Sequence, residues 1–521
     1  ELFEDDLERI EENMMRAIER VPAVGEAGIK RVINGPMIWS PDSNVLFGPV
    51  PELKNYFCCN GVIPGFSQSG GLGLLAAEWI IEGETKYDMF AWDVARFGAW
   101  ASKEFTKSRV GDQYAHRFSI HFPNEERSAG RPVRTRPIYQ MQKEMGAVMG
   151  FNYGWEHPLW FAETPGVKDT NGFTRQNWFE PVGKECQMLR EKAGIIDISN
   201  FAKYVVQGKK GRDWLDAVFA NKMPTEVGLS CLTPLISRRG GLAGDFTVTL
   251  IAQDEYWIFG AGMAERYHKR FFDAVPLPEG VSFESRTEPV CGFNVAGPLS
   301  RKILQGLTST SLNNEDFQFM RSKCADLAGI DVKMLRVSFT GDLGWEVHCN
   351  TADQKALYTA LLETGKEFGV GPVGSRALMA MRVEKGYGSW SREYSPEYWP
   401  HEQGMDRLCK MDKDFLNKAA LQAVLAQEPR EQMVLLHLNE AAVTASNADA
   451  TGGEPVFKDG NGVGRVTSGA YGYSVGLSLA LAMVKDVGPG DEVEVMVLGQ
   501  PHKAKILHQP PFDPTGKKLR A

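Results

Sequence analysis

Apolar residues near the start of the chain fall three or four positions apart: Phe3, Leu7, Ile10, Met14, Ile18 and Val21. That spacing predicts one face of a helix, ended near Pro22. Residues 30–33 predict a short strand, broken by Asn34-Gly35-Pro36. A passage rich in proline and glycine (Pro41, Gly48, Pro49, Pro51) leads to a predicted buried strand at 56–59. Residues 67–73 read as a glycine-rich loop and 74–82 as a helix. Residues 122–138 combine Pro123, Pro132 and Pro137 with Arg127, Arg131, Arg134 and Arg136. They read as a solvated basic connector, with a site for an anionic cofactor tail as the alternative. The aromatic run 151–161 reads as core or domain interface.

From 194 onward short strands alternate with helices. Strands are predicted at 204–207 and 291–296, a hairpin at 246–250 and 256–259, and helices at 213–219 and 264–272, with Pro298 opening another helix. This is an α+β pattern. After Arg430 the helical spacing fades, and 434–438, 463–467 and 493–498 suggest a small all-β end domain.

Composition narrows the class. The 521 residues allow about three or four domains. With 43% hydrophobic and 24% charged residues the chain reads as an ordinary globular protein. The apolar run 477–484 is far short of the ~20 residues of a membrane helix, so none is expected. Net charge is −8, and nothing in that balance favours nucleic acid. Eight cysteines form no C-x-x-C pair and point to a reducing compartment. Nine histidines show no ligand spacing, so no metal site is expected. The chain opens on Glu1 in an acidic, amphipathic stretch rather than a secretory signal, which raises the expectation that it is part of a longer protein.

Four stretches could carry chemistry. In Gly65-Phe66-Ser67-Gln68-Ser69-Gly70-Gly71-Leu72-Gly73 the start of a helix offers free N–H groups to something negative, such as a flavin pyrimidine edge; a tight turn is the alternative. In Gly240-Gly241-Leu242-Ala243-Gly244-Asp245 the aspartate could fix a ligand N–H or accept a proton, or simply serve a turn. In Ser338-Phe339-Thr340-Gly341-Asp342-Leu343-Gly344-Trp345-Glu346, a predicted hairpin, Glu346 could take two parallel hydrogen bonds from an aminopyrimidinone edge, or be a surface glutamate. The charges around Arg382, Glu384 and Lys385 could be a structural ion network.

In this order the motifs resemble the dimethylglycine dehydrogenase and sarcosine dehydrogenase family, whose C-terminal half is similar to the glycine-cleavage T-protein. Ile33-Asn34-Gly35-Pro36, Gly48-Pro49-Val50-Pro51 and residues 65–73 resemble the end of the family's FAD-binding domain. Asp93-Val94-Ala95-Arg96-Phe97 leads into its connecting segment, and Asp197-Ile198-Ser199-Asn200-Phe201-Ala202-Lys203-Tyr204 resembles the start of the folate-binding region. The resemblance implies oxidative demethylation of an N-methyl amine such as dimethylglycine or sarcosine. FAD takes the hydride, and the carbon passes to tetrahydrofolate as 5,10-methylenetetrahydrofolate. It implies a catalytic role for Asp245, folate contacts at Glu346, Phe339 and Arg382, and flavin contacts at Gly65, Ser67, Gln68, Gly70 and Gly71.

The implied domains are 1–95 (the end of an FAD-dependent oxidase domain), 96–150 (a connecting segment), 151–425 (a T-protein-like folate-binding region of α+β fold) and 426–521 (a small β-barrel). Two departures stand out. Phe339 occupies a position where T-protein relatives commonly carry tyrosine. The G-x-G-x-x-G of a Rossmann half and the histidine that often carries FAD have no counterpart, so the missing half of the flavin site is expected from upstream residues, a homo-oligomer or a second chain. The expected compartment is the bacterial cytoplasm or, in a eukaryote, the mitochondrial matrix. Two alternatives compete: a flavin-independent folate-dependent methyl or aminomethyl transferase, and a folate-binding accessory protein. Against the second, Lys385-Gly386-Tyr387-Gly388-Ser389 lacks the cysteine of the K-G-C-x-x-G-Q signature.

Overall fold

Two sheets and a barrel organise the chain in the structure, a computed structural model that describes residues 2–521. The first sheet has five antiparallel strands in the order Ser282–Ser285, Ala202–Gln207, Glu255–Gly260, Leu242–Ala252 and Ser230–Ile236. The second has six, in the order Ser322–Leu327, Ile330–Leu335, Gly344–Asn350, Val290–Ala296, Gly194–Asp197 and Gly371–Val373. Only Gly371–Val373 pairs in parallel. Val290–Ala296 is buried at every position, as a central strand covered on both faces must be. Val205, Trp257 and Phe259 of the first sheet pack with Val290 and Leu335 of the second in one apolar cluster. Sheet-to-sheet contact therefore begins on the face that also carries Glu346.

The C-terminal strands close into a six-stranded barrel, Gln432–Leu438 to Gln500–Ile506, filled by Leu436, Val456, Val466, Ala480, Ala482 and Val495. The α+β architecture and the β end domain follow the expectation from sequence. So do the hairpin of Leu242–Ala252 with Glu255–Gly260 and the helices Gly211–Val218 and Glu265–Asp273.

The N-terminal part departs from expectation. The first helix is a 3₁₀ turn, Glu8–Ile10, followed by Glu11–Arg20, and it buries no residue. Periodicity fixed its helicity but not a partner for its apolar face. Residues 30–33 form no strand; only Asn34 bridges to Phe3. The predicted strand at 56–59 is Phe57–Asn60, paired with Leu46–Pro49, and only Cys58 of it is buried.

The expected glycine-rich loop at 65–73 is also absent. Gly65–Glu82 is one helix, entered at Pro64 and closed by Gly83 at φ 79°. Leu74, Leu75, Ala76 and Ala77 are good helix formers, and tertiary contact of Leu72 and Trp79 with Phe47 carries the helix back through four glycines.

Residues 122–138 are not a solvated connector. Arg136 is buried and donates to the carbonyls of Ser199, Thr287 and Glu288 at 2.7–2.8 Å. Arg134 and Arg136 each lie 3.8 Å from the centre of the Trp155 ring. Arg131 is bidentate to Glu156. Arginine runs look solvated in sequence because their partners, here Trp155 and Glu156, are supplied by a distant hairpin.

Candidate functional site

Asp245 lies four residues into the strand Leu242–Ala252, opposite Pro234. The glycines before it serve close approach of the protein's own backbone. Gly240 has φ 82°, open to few residues but glycine. A Cβ on Gly241 would lie 2.0 Å from the Pro396 carbonyl oxygen, and one on Gly244 would lie 2.7 Å from Nε2 of His268. Leu242 N–H donates to Tyr398 O at 3.0 Å. The segment 386–398 is thereby drawn over the start of this strand, and Tyr394 comes within the electrostatic reach of Asp245. No side chain among the described residues hydrogen-bonds or ion-pairs with the Asp245 carboxyl. Burial pushes its pKa up to about 6. An aspartate bonded only by its own backbone N–H and held near neutrality can exchange a proton or balance a developing cation.

Glu346 sits on Gly344–Asn350, between Asn294 and Leu335 of the neighbouring strands. Period-two alternation sends Trp345, Val347 and Cys349 into the core and leaves Glu346 and His348 on the other face. Glu346 is 21% exposed, whereas the His348 side chain behind it is sealed. His348 Nε2 lies 3.3 Å from Glu346 Oε2. Burial lowers the His348 pKa, with Lys203 and Lys333 acting the same way and Glu346 opposing. Lys203 is also wholly buried, its Nζ donating to the carbonyls of Ser199 and Phe201 at 2.9 Å. Burial, then the Arg136 charge, brings it down to about 7.

Phe339 lies in the loop before Gly344–Asn350 and faces Tyr387, ring centroids 6.3 Å apart and planes 21° from parallel. Segment 386–398 therefore touches Phe339 at one end and the Asp245 strand at the other, joining the two hairpins singled out in the sequence. Arg382 does not join them. Its guanidinium donates to Glu393 at 2.8 Å, to Ser468 at 2.6 Å and to the Tyr387 carbonyl at 2.8 Å, and it is 1% exposed. The expected folate contact at Arg382 gives way to the structural network: the guanidinium is sealed from solvent against Glu393, and a ligand has no open path to it.

The flavin expectation is relocated by the helix Gly65–Glu82. Gln68 N–H already bonds to Pro64 O, so Gly70 and Gly71 spend theirs inside the helix. Only the first turn, with Gly65 and Ser67, keeps free N–H groups. Beside it a cavity of about 380 Å³ is lined by Trp39, Asn44, Gln68, Trp92, Arg117 and His121. Sequence reasoning missed His348, Tyr387 and Tyr394. His348 could have been found from its i+2 spacing to Glu346; Tyr394 carries no such signal.

This site lies in a known domain type. The GCVT N-terminal domain model matches residues 138–413, the FAD dependent oxidoreductase central domain model 82–135, and the Glycine cleavage T-protein C-terminal barrel domain model 432–513. The chain belongs to the family of the GCVT N-terminal domain. Mitochondrial dimethylglycine dehydrogenase of Mus musculus is 34% identical over 98% of this chain and 59% of its own length. Mitochondrial sarcosine dehydrogenase of Mus musculus is 28% identical over 100% of this chain and 62% of its own. The chain thus spans about three-fifths of the length of these curated relatives. The aminomethyltransferase T structure from Bartonella henselae superposes with a TM-score of 0.63 at 21% identity, covering 73% of this chain and 98% of that one, which establishes the shared fold. The resemblance expected from the motifs therefore extends over the whole chain. Among the described residues no helix is long and apolar enough to cross a membrane.

Proposed function

We propose that this chain is the folate-side portion of an enzyme that oxidatively demethylates an N-methyl amine such as dimethylglycine or sarcosine and transfers the carbon to tetrahydrofolate. The observation that carries the reading is the half-buried Asp245, bonded by no side chain and held near neutrality on a family-matched strand. A nucleophilic folate nitrogen must be neutral to attack an electrophilic carbon. A carboxyl poised near pH 6 can take the proton released there, and its ionised form favours a cationic one-carbon electrophile. Glu346, with oxygen still exposed, is suited to the N–H edge of the pterin, and Phe339 with Tyr387 to its ring face.

The chemistry FAD would supply here, when bound, is acceptance of the hydride that leaves the N-methyl group. The first turn of Gly65–Glu82 and the neighbouring Trp39 and Trp92 fit a flavin ring edge. The strand Phe57–Asn60 runs through Gly61 into that helix, but it pairs antiparallel with Leu46–Pro49 and carries no G-x-G-x-x-G for a dinucleotide diphosphate, so we assign that part of the site to further residues of the enzyme or to a second chain. We keep the mitochondrial matrix or, in a bacterium, the cytoplasm as the proposed setting; the relatives' names, both mitochondrial, support the organelle.

The test separates the two half-reactions in the natively isolated protein, read by flavin absorbance, amine oxidation and methylene transfer. Asp245→Asn is expected to abolish methylene transfer and leave amine oxidation largely intact. Equal loss of both would overturn the division of labour.

A further inference from the structure

The imidazole of His348 is pinned from several sides. Phe259 stacks on it with centroids 4.6 Å apart and planes 27° from parallel. Against Nδ1 lies Gly292, where a Cβ would come within 2.5 Å, so the backbone leaves room for the ring and little else. Nδ1 is buried and has no hydrogen-bond partner. Nε2 alone meets a polar group, the carboxylate of Glu346. Two cations, Lys203 and Lys333, face the ring and disfavour a third positive charge. A neutral imidazole carries one N–H. With that proton on Nε2 the ring donates to Oε2. With it on Nδ1, a nitrogen lone pair would oppose the carboxylate and a buried donor would be left unmade.

We propose that His348 is a positioning residue for ligand binding: it holds the Nε2–H tautomer and fixes the Glu346 carboxylate so that its remaining lone pairs face the pterin edge. This rests on the reading that Glu346 holds the pterin. A glutamate side chain has three rotatable torsions, and fixing them before the ligand arrives removes an ordering cost from binding. The ring can do this without charge because its own orientation is set by Phe259 and Gly292, and the carboxylate keeps ample acceptor capacity for two parallel N–H bonds.

The experiment measures the Kd of 5-formyltetrahydrofolate, a stable probe, for wild type, His348→Leu, His348→Gln and Glu346→Gln, and for Leu and Gln at 348 combined with Glu346→Gln. Glutamine places an amide N–H near the Nε2 position, whereas leucine offers no donor. His348→Leu is expected to weaken binding about tenfold, His348→Gln to restore most of it, and the leucine change to add nothing once Glu346 is glutamine. Where leucine fails to fold, His348→Asn takes its place; its amide sits near Nδ1 and is expected to fail to rescue. Unchanged binding in Glu346→Gln would overturn the pterin reading and the proposal with it. Weak binding in Glu346→Gln with unchanged binding in His348→Leu would overturn the positioning role alone. So would equal losses for leucine and glutamine, or additive losses in the double variant, since either outcome marks a packing effect.

Discussion

The guanidinium of Arg382 and the carboxylate of Glu393 meet at 2.8 Å with their side chains 1% and 0% exposed. Ser468 and Thr467 of the barrel strand Asn461–Gly472 also bond to Glu393 or Arg382, so the pair locks the helix Ser375–Glu384 to the C-terminal barrel. Breaking one side of such a pair strands the other charge in the interior. Arg382→Met is expected to cost about 3–5 kcal/mol, while Arg382→Met with Glu393→Gln costs clearly less. Urea midpoints of the three proteins check this. Folate affinity of the folded single variant should stay near wild type, and a selective loss of affinity at unchanged stability would return Arg382 to the ligand site.

Asp245 makes stability depend on pH in a definite direction. Its carboxyl titrates at about 6 in the folded chain and at 3.8 when unperturbed. Between those values the folded chain holds more protons than the unfolded one, so stability falls as pH rises through the window and the deficit is constant above it. Asp245→Asn removes the deficit. The variant should match wild type near pH 3, below the unperturbed pKa, and exceed it at pH 7 by about 1–3 kcal/mol. Chemical denaturation at both pH values decides the matter; an Asn variant less stable than wild type at pH 7 would mean the carboxyl has a stabilising partner.

Phe339 is half-buried and faces the ring of Tyr387. A hydroxyl on that ring would add one neutral hydrogen bond to a bound folate, as the resemblance to T-proteins suggests. Phe339→Tyr is expected to tighten tetrahydrofolate binding by about three- to tenfold with little change in stability. Titration calorimetry reads it. An unchanged Kd would place Phe339 outside the ligand's reach.

What was legible in the sequence follows from where the information is local. The hairpin holding Asp245 and the strand holding Glu346 were read from alternation and turn residues, because their conformations are fixed within a dozen positions. The helix over residues 65–73 was not, since four glycines argue locally for a loop while the packing of Leu72 and Trp79 on Phe47 overrides them. Arg136 and Arg382 were misjudged for the same reason: the carbonyls of Thr287 and Glu288, and the Ser468 hydroxyl, come from 86 to 152 residues away. His348 was missed although it stands two residues from Glu346, because its meaning depends on Phe259 and Gly292 in two other strands.

Gly241 links backbone geometry to the chemistry of Asp245. A methyl group there would meet the Pro396 carbonyl oxygen at 2.0 Å and the carbonyl carbon at 2.8 Å, both backbone atoms that cannot rotate away. Relief requires segment 386–398 to lift, which breaks the bond from Leu242 N–H to Tyr398 O and moves Tyr394 from the carboxyl. Gly241→Ala is therefore expected to destabilise the fold by about 1–3 kcal/mol. Water admitted beside Asp245 would also bring its pKa down from about 6 toward the ordinary carboxylate range, because burial is what raised it. Carbon-detected NMR of labelled aspartate carboxyls, compared between Gly241→Ala and wild type, follows that titration. A clear loss of stability with the Asp245 titration unmoved would show that the covering segment is not what keeps the carboxyl dry.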